Sequence, residues 1–230
     1  MRYLIFFLPL FLISCGGEKT KSALPEDLDS LLVYHATRFD SDTSNQEYKK
    51  LYIDVLIQHG NKMLKDLDFP KALNDGAKAF RLDSTKIEAR MLFADVLNNT
   101  PDRTMDEVAA AQRHYGYIVK KQAKNPKALV GLASTFSQQM DFDQSFNYIN
   151  QALRINPRYR DAYVLKGSNY LFLGKIDLAK SSYETAVQQD PEFFEAYLML
   201  GSLYQAEKNA ICIEYYTTAA ELKPKNTDVL

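Results

Sequence analysis

A constellation of small and aromatic residues returns along this chain about every 34 residues, and that period limits the possible folds more than any other feature. Its clearest copy runs from Arg160 to Phe193. Tyr163, Gly167 and Tyr170 recur at helical spacing, with Leu171 following. Ala179, Tyr183 and Ala186 do the same, and Asp190-Pro191 closes the unit because proline cannot extend a helix. Gly174 separates the two runs. The pattern predicts two short amphipathic helices back to back, with a large ring facing a missing side chain so that the helices approach closely.

The constellation recurs in both directions. After Phe194 it returns as Tyr197, Leu200, Gly201 and Tyr204, then as Cys212, Tyr216, Ala219 and Pro224 with one residue deleted at the turn. From Pro126 it reads Leu129, Leu132, Ala133 and Phe136, then Ser145, Ile149, Ala152 and Pro157. The unit from Ile53 gives Leu56, Gly60 and Met63, then Ala72, Gly76 and Ala79. The unit from Ile87 gives Ala89, Phe93, Ala94 and Leu97, followed by the longer turn NNTPDRTMDE. A single helix pair cannot bury its apolar face alone, so the period predicts an all-α solenoid in which neighbouring units stack.

The chain from about Ile53 to Asn226 resembles tetratricopeptide repeats, in five units. The fourth unit departs from the family pattern only at Lys166, where an apolar residue is preferred. The second departs most, through Arg90 at an aromatic slot and its enlarged turn, before a second helix expected near Val108 to Lys124. The resemblance implies a right-handed stack of helix pairs with a concave groove that binds proteins or peptides. It does not imply an enzyme.

In that family the groove is lined by the second, fifth, ninth, twelfth and thirteenth residues of each first helix. Carried onto this chain, the fifth positions are Ile57, Met91, Val130, Val164 and Leu198, none of them basic. The ninth positions are Asn61, Asp95, Ser134, Ser168 and Ser202, and the last two include Lys65, Asn98 with Asn99, and Phe172. Only Asn61 and Lys65 suit the clamp that some family members close on a C-terminal carboxylate, so that ligand is not expected. The stripe Val130, Val164, Phe172 and Leu198, edged by hydroxyls and amides, suits an extended or helical segment held by apolar anchors. Alternatively, several of these side chains pack between neighbouring helices.

The chain opens with MRYLIFFLPLFLIS, one positive charge and then an almost unbroken apolar run, which reads as a secretory signal peptide and is too short for a membrane span. Leu12-Ile13-Ser14-Cys15 resembles a bacterial lipobox, which implies cleavage before Cys15 and acyl chains on its sulfur and amine. More than one acyl chain gives a stable anchor. Residues 16–23 read as a flexible tether, and Pro25 to Phe39 as a short helix with Leu28, Leu31, Leu32 and Ala36 on one face. The run DSDTSN at 40–45 lacks the sixth-position glycine of a calcium loop and has Leu51 where a glutamate is needed, so it reads as a linker whose Asn45 caps the next helix. Residues 46–226 form the solenoid, and Val229 and Leu230 fall where a further repeat would begin; the 230 residues are expected to be a fragment or a truncated product.

Chemistry is sparse. His35, His59 and His114 stand apart in sequence, so no metal is expected, and His59 falls in a core-facing slot. Cys212 occupies a small-residue slot, which favours packing over reactivity. No nucleophile elbow, phosphate loop or zinc motif occurs, and no cofactor is expected. With 28 basic against 29 acidic residues and no basic stripe, nucleic acid is not an expected partner. The expected function is a non-enzymatic scaffold lipoprotein of the bacterial cell envelope. It would be anchored through Cys15, in the outer membrane rather than the inner, with which Gly16 is compatible under the sorting rule of some bacteria, and with the solenoid in the periplasm. Its groove would bind envelope proteins or peptides in assembly of outer-membrane, pilus or secretion machinery. The alternative is an adaptor that recruits peptidoglycan-processing enzymes.

Overall fold

The computed structural model describes residues 24–223. The signal segment, Cys15, the tether 16–23 and the expected beginning of a further repeat lie outside the described residues. Within them the chain forms α-helices and no strand. α1 (Leu28–Ser41) comes first, followed by five helix pairs: α2 (Gln46–Lys65) with α3 (Phe69–Leu82), α4 (Ile87–Asn99) with α5 (Met105–Lys121), α6 (Pro126–Gln138) with α7 (Phe142–Ile155), α8 (Arg160–Phe172) with α9 (Ile176–Gln189), and α10 (Phe194–Ala206) with α11 (Cys212–Leu222). This is the all-α repeat solenoid that the period requires.

Six of the helices, α1, α2, α3, α5, α6 and α7, begin where a side chain satisfies an orphan amide. Asn45 accepts from the amides of Glu47 and Tyr48, so the 40–45 run is a capping linker. Asp68, Asn125 and Asp141 cap α3, α6 and α7 in the same way. The long turn of the second unit ends in a capping box, Thr104 with Glu107, and α5 runs from Met105 to Lys121. Each turn inside a pair passes through one residue with positive φ: Leu67, Asp102, Met140, Gly174 and Lys208. Only Gly174 takes that conformation without steric cost.

Stacking follows from the small residues. A methyl group on Gly167 would meet the buried Tyr183 ring at 2.8 Å, and one on Gly201 would meet Tyr216 at 2.7 Å. In the third unit the ring against Gly131 is Tyr115, which comes from the preceding unit, and the place of Tyr183 is taken by the shorter Ile149. Arg90 resolves the anomaly of its aromatic slot. Its planar guanidinium lies 3.8 Å from the Tyr117 ring centre and 4.8 Å from that of Phe80, with Nη1 3.2 Å from His114 Nδ1. Burial and the Arg90 charge push His114 down to about 4, so its imidazole is neutral at pH 7 and accepts from Arg90.

The first helices touch one another, α2 with α4, α4 with α6 and α6 with α8, while the second helices make no comparable contact among the described residues. That difference curves the stack and puts the first helices on its concave side. α1 runs antiparallel to α2. Phe39, near its end, packs on Tyr52, and Asp29, in its first turn, accepts from His59 Nε2 at 2.8 Å. The other ring nitrogen of His59 lies 2.5 Å from the buried carboxylate of Asp75. His59 is therefore a buried, doubly bonded histidine that fastens α1 to the first pair. No cluster of ligands that could hold a metal ion occurs among the described residues. Cys212 stands at the start of α11 as a half-buried free thiol rather than a fully buried one.

Candidate functional site

On the concave side α4, α6 and α8 leave an open pocket of about 450 Å³. Its apolar part is Leu64, Val130, Val164 and Leu165, and its polar part includes Asp95, Asn98, Ser134 and Ser168. Gly131 is essential to its shape. The absence of a side chain there lets the Tyr115 ring stand under the wall, so a residue of a second helix reaches the groove.

The polar side is prearranged. Tyr115 donates its hydroxyl to Asp95 at 2.8 Å, and Lys127 Nζ stands 2.6 Å from the other oxygen of the same buried carboxylate. Burial first, then the charge and hydrogen bond of Asp95, push the Tyr115 phenol far up, so it remains a donor. A second network joins α4, α6 and the turn between α4 and α5. Asn98 donates to Ser134 at 3.2 Å, Gln138 donates to Asn98 at 2.8 Å, and Arg103 donates to Gln138. Ser168 bonds the Tyr183 hydroxyl at 3.0 Å. Fixed amides and hydroxyls beside an apolar floor can pair with peptide backbone groups at little cost in side-chain entropy.

Seven of the positions carried over from the repeat pattern meet here: Asp95, Asn98, Asn99, Val130, Ser134, Val164 and Ser168. The others do not. Ile57 and Met91 are buried in core clusters, because the fifth position faces the neighbouring first helix where the stack closes. Asn61 turns its amide back onto Ile57 O at 2.7 Å. Phe172 is 65% exposed and packs on Phe142 at the turn, outside the pocket. Leu198 is half-buried and Ser202 exposed, both on α10 beyond the pocket. Sequence reasoning missed Tyr115, Tyr159 and Lys127, which also line it. Lys127 sits at a second position of a first helix, a signal within reach; Tyr115 comes from a second helix, which the positional rule does not count.

The family model for the tetratricopeptide repeat matches residues 126–159 and 161–193. Among solved structures, the chain is similar to TTC0263, a thermophilic TPR protein of Thermus thermophilus, with a TM-score of 0.68 at 19% identity over 77% of this chain and 94% of that one. It is also similar to pilF of Pseudomonas aeruginosa, with a TM-score of 0.58 at 18% identity over 79% of this chain and 81% of that one. At these identities the likeness is one of fold. Among curated relatives, protein bimA of Emericella nidulans is 25% identical over 103 residues, 44% of this chain. The chain spans only 13% of bimA's length.

Proposed function

The chain is built of tetratricopeptide repeats, and from that premise we propose that it is an envelope-anchored scaffold that holds an extended or helical segment of another envelope protein in its concave groove. The single observation that carries the binding part is the pocket itself, where Val130 and Val164 form an apolar floor beside the prearranged Asn98 and Ser134. The apolar floor takes one or two aliphatic anchors of the segment, and the amides and hydroxyls pair with its backbone. The repeat fold is a protein-interaction scaffold.

The envelope part rests on Met1 to Cys15, a signal segment ending in a lipobox-like sequence. No helix among the described residues is long and apolar enough to cross a membrane. In this reading attachment falls to acyl chains on Cys15, and the groove presents itself to partners in assembly of outer-membrane, pilus or secretion machinery. The test is metabolic labelling with a palmitate analogue and membrane fractionation of wild type against Cys15→Ser, followed by identification of co-purifying proteins. Labelled chain in the membrane fraction, lost with Cys15→Ser, together with assembly-machine subunits, is the expected result. Unlabelled chain in the soluble fraction overturns the anchoring, and murein hydrolases as the co-purifying set replace assembly with an adaptor role.

A further inference from the structure

Most of the large apolar side chains that remain exposed gather at one edge of the solenoid, with Val33 in the middle of α1 standing apart. Leu67 is 70% exposed, Met105 60% and Met140 66%, and with Phe172, Leu173 and Ile211 they put at least one such residue at every turn inside a helix pair. These five turns share one edge of the stack. The opposite edge, formed by the turns between pairs, exposes only Ile155 among large apolar residues of the described chain. Packing does not explain the row, since side chains so exposed contribute little to the core.

The described chain begins at the same edge. α1 is antiparallel to α2, so its first turn lies beside the first of the five turns: Asp29 meets His59 there, and its charge also reaches Lys71. Leu24, itself exposed, precedes α1 on that side. Cys15 stands nine residues earlier in the sequence. Nine residues span about 30 Å at most. An acylated Cys15 would thus hold this edge nearer the lipid surface than the opposite one, which lies about 20–30 Å away along the helices.

We propose that the row of turns is a membrane-docking edge, which lays Met105, Met140 and Phe172 into the headgroup region of the bilayer that anchors the chain. This rests on the acylation of Cys15 proposed above. A tether of this length makes docking intramolecular, so a weak apolar contact is populated once the chain is anchored. The edge carries charges of both signs, Asp66, Asp102 and Asp143 as well as Lys71, Lys175 and Lys208, so apolar insertion and not attraction to anionic lipid drives it. Docked this way, the solenoid stands on its edge and leaves the concave pocket open to partners.

The sequence contains no tryptophan, which supplies a clean probe. Phe172→Trp and Met105→Trp report from the docking edge, and Ile155→Trp from the opposite one. Each full chain is purified from bacterial membranes, checked for an unchanged melting curve, reconstituted into phosphatidylcholine vesicles containing brominated phosphatidylcholine, and floated on a density gradient. Blue-shifted, bromine-quenched emission at positions 172 and 105, with unshifted and unquenched emission at 155, is the expected result, and it persists at high salt. Chain that floats without quenching at 172 and 105 overturns the docking edge alone. Equal quenching at all three positions overturns it as well. Chain that carries no acyl group and does not float overturns the anchoring and the edge together.

Discussion

Gly167 lies against the face of Tyr183 so closely that a methyl group in its place would stand 2.8 Å from the ring. Tyr183 is fully buried and its hydroxyl is held by Ser168, so the ring has nowhere to go. The pair fixes the separation of α8 and α9, and it ends at Ser168 on the groove surface. Core packing and site geometry are one arrangement here.

Gly167→Ala is therefore expected to lower stability by about 1–3 kcal/mol, the usual range for overpacking. Gly116 is its control. It too is helical, but an added Cβ meets nothing within 4 Å, so Gly116→Ala should raise stability by about 0.5–1 kcal/mol by removing a flexible residue from a helix interior. Chemical denaturation of both variants checks the pair. Equal effects of the same sign would break the account of how the helices are spaced.

The turn residues give an independent test of backbone strain. Met140 has a φ of 62° and Leu67 a φ of 61°, a left-handed conformation that costs a non-glycine residue about 1–2 kcal/mol. Met140→Gly should raise stability, by about 0.5–1 kcal/mol once the added freedom of the unfolded chain is subtracted. Gly174→Ala, at a φ of 70°, should lower it by about 1 kcal/mol. Thermal melts of the two variants are expected to move in opposite directions.

His59 gives the solenoid a pH dependence of predictable sign. Burial alone would pull its pKa down, but the hydrogen bonds and charges of Asp75 and Asp29 outweigh burial and raise it. Both ring nitrogens face carboxylate oxygens, so two N–H donors are needed and the imidazolium is the bonded form. A raised folded-state value means that this contribution is complete below the unfolded value of about 6.5 and is lost as pH rises through the folded one. Asp75→Asn should cost about 1–3 kcal/mol at low pH, since it weakens a buried hydrogen bond to a charged group. The wild-type melting temperature should fall from mildly acid to mildly alkaline pH, with α1 losing hydrogen-exchange protection first, and Asp75→Asn should flatten the fall. A wild-type profile with no fall above neutral pH would exclude the latch.

The sequence announced the helix pairs because each repeats the same small and aromatic positions, and a period is visible without knowing any long-range contact. Half of the groove was legible for the same reason: Asp95, Asn98, Asn99, Val130, Ser134, Val164 and Ser168 occupy repeat positions and converge. Ile57 and Met91 hold equivalent positions yet are buried, because the inward face depends on how closely successive first helices touch, and curvature is a property of the stack. The Asp29 arm of His59 was invisible because α1 lies outside the repeat. Tyr115 entered the groove through a gap made by Gly131, a residue of the next unit. Such contacts link positions in different units, which no pattern within one unit encodes.

The most direct test of the central claim places a photocrosslinking amino acid at Ser168, on the exposed groove surface, and as control at Asn147, exposed on the second helix α7. Cells expressing each full-length chain are irradiated and the adducts identified, with and without Val130→Glu in the same chain. A discrete set of protein adducts at position 168 that disappears with a still-folded Val130→Glu variant, and is absent at position 147, is what the account predicts. Adducts that arise equally from position 147, or that survive Val130→Glu unchanged, would contradict it.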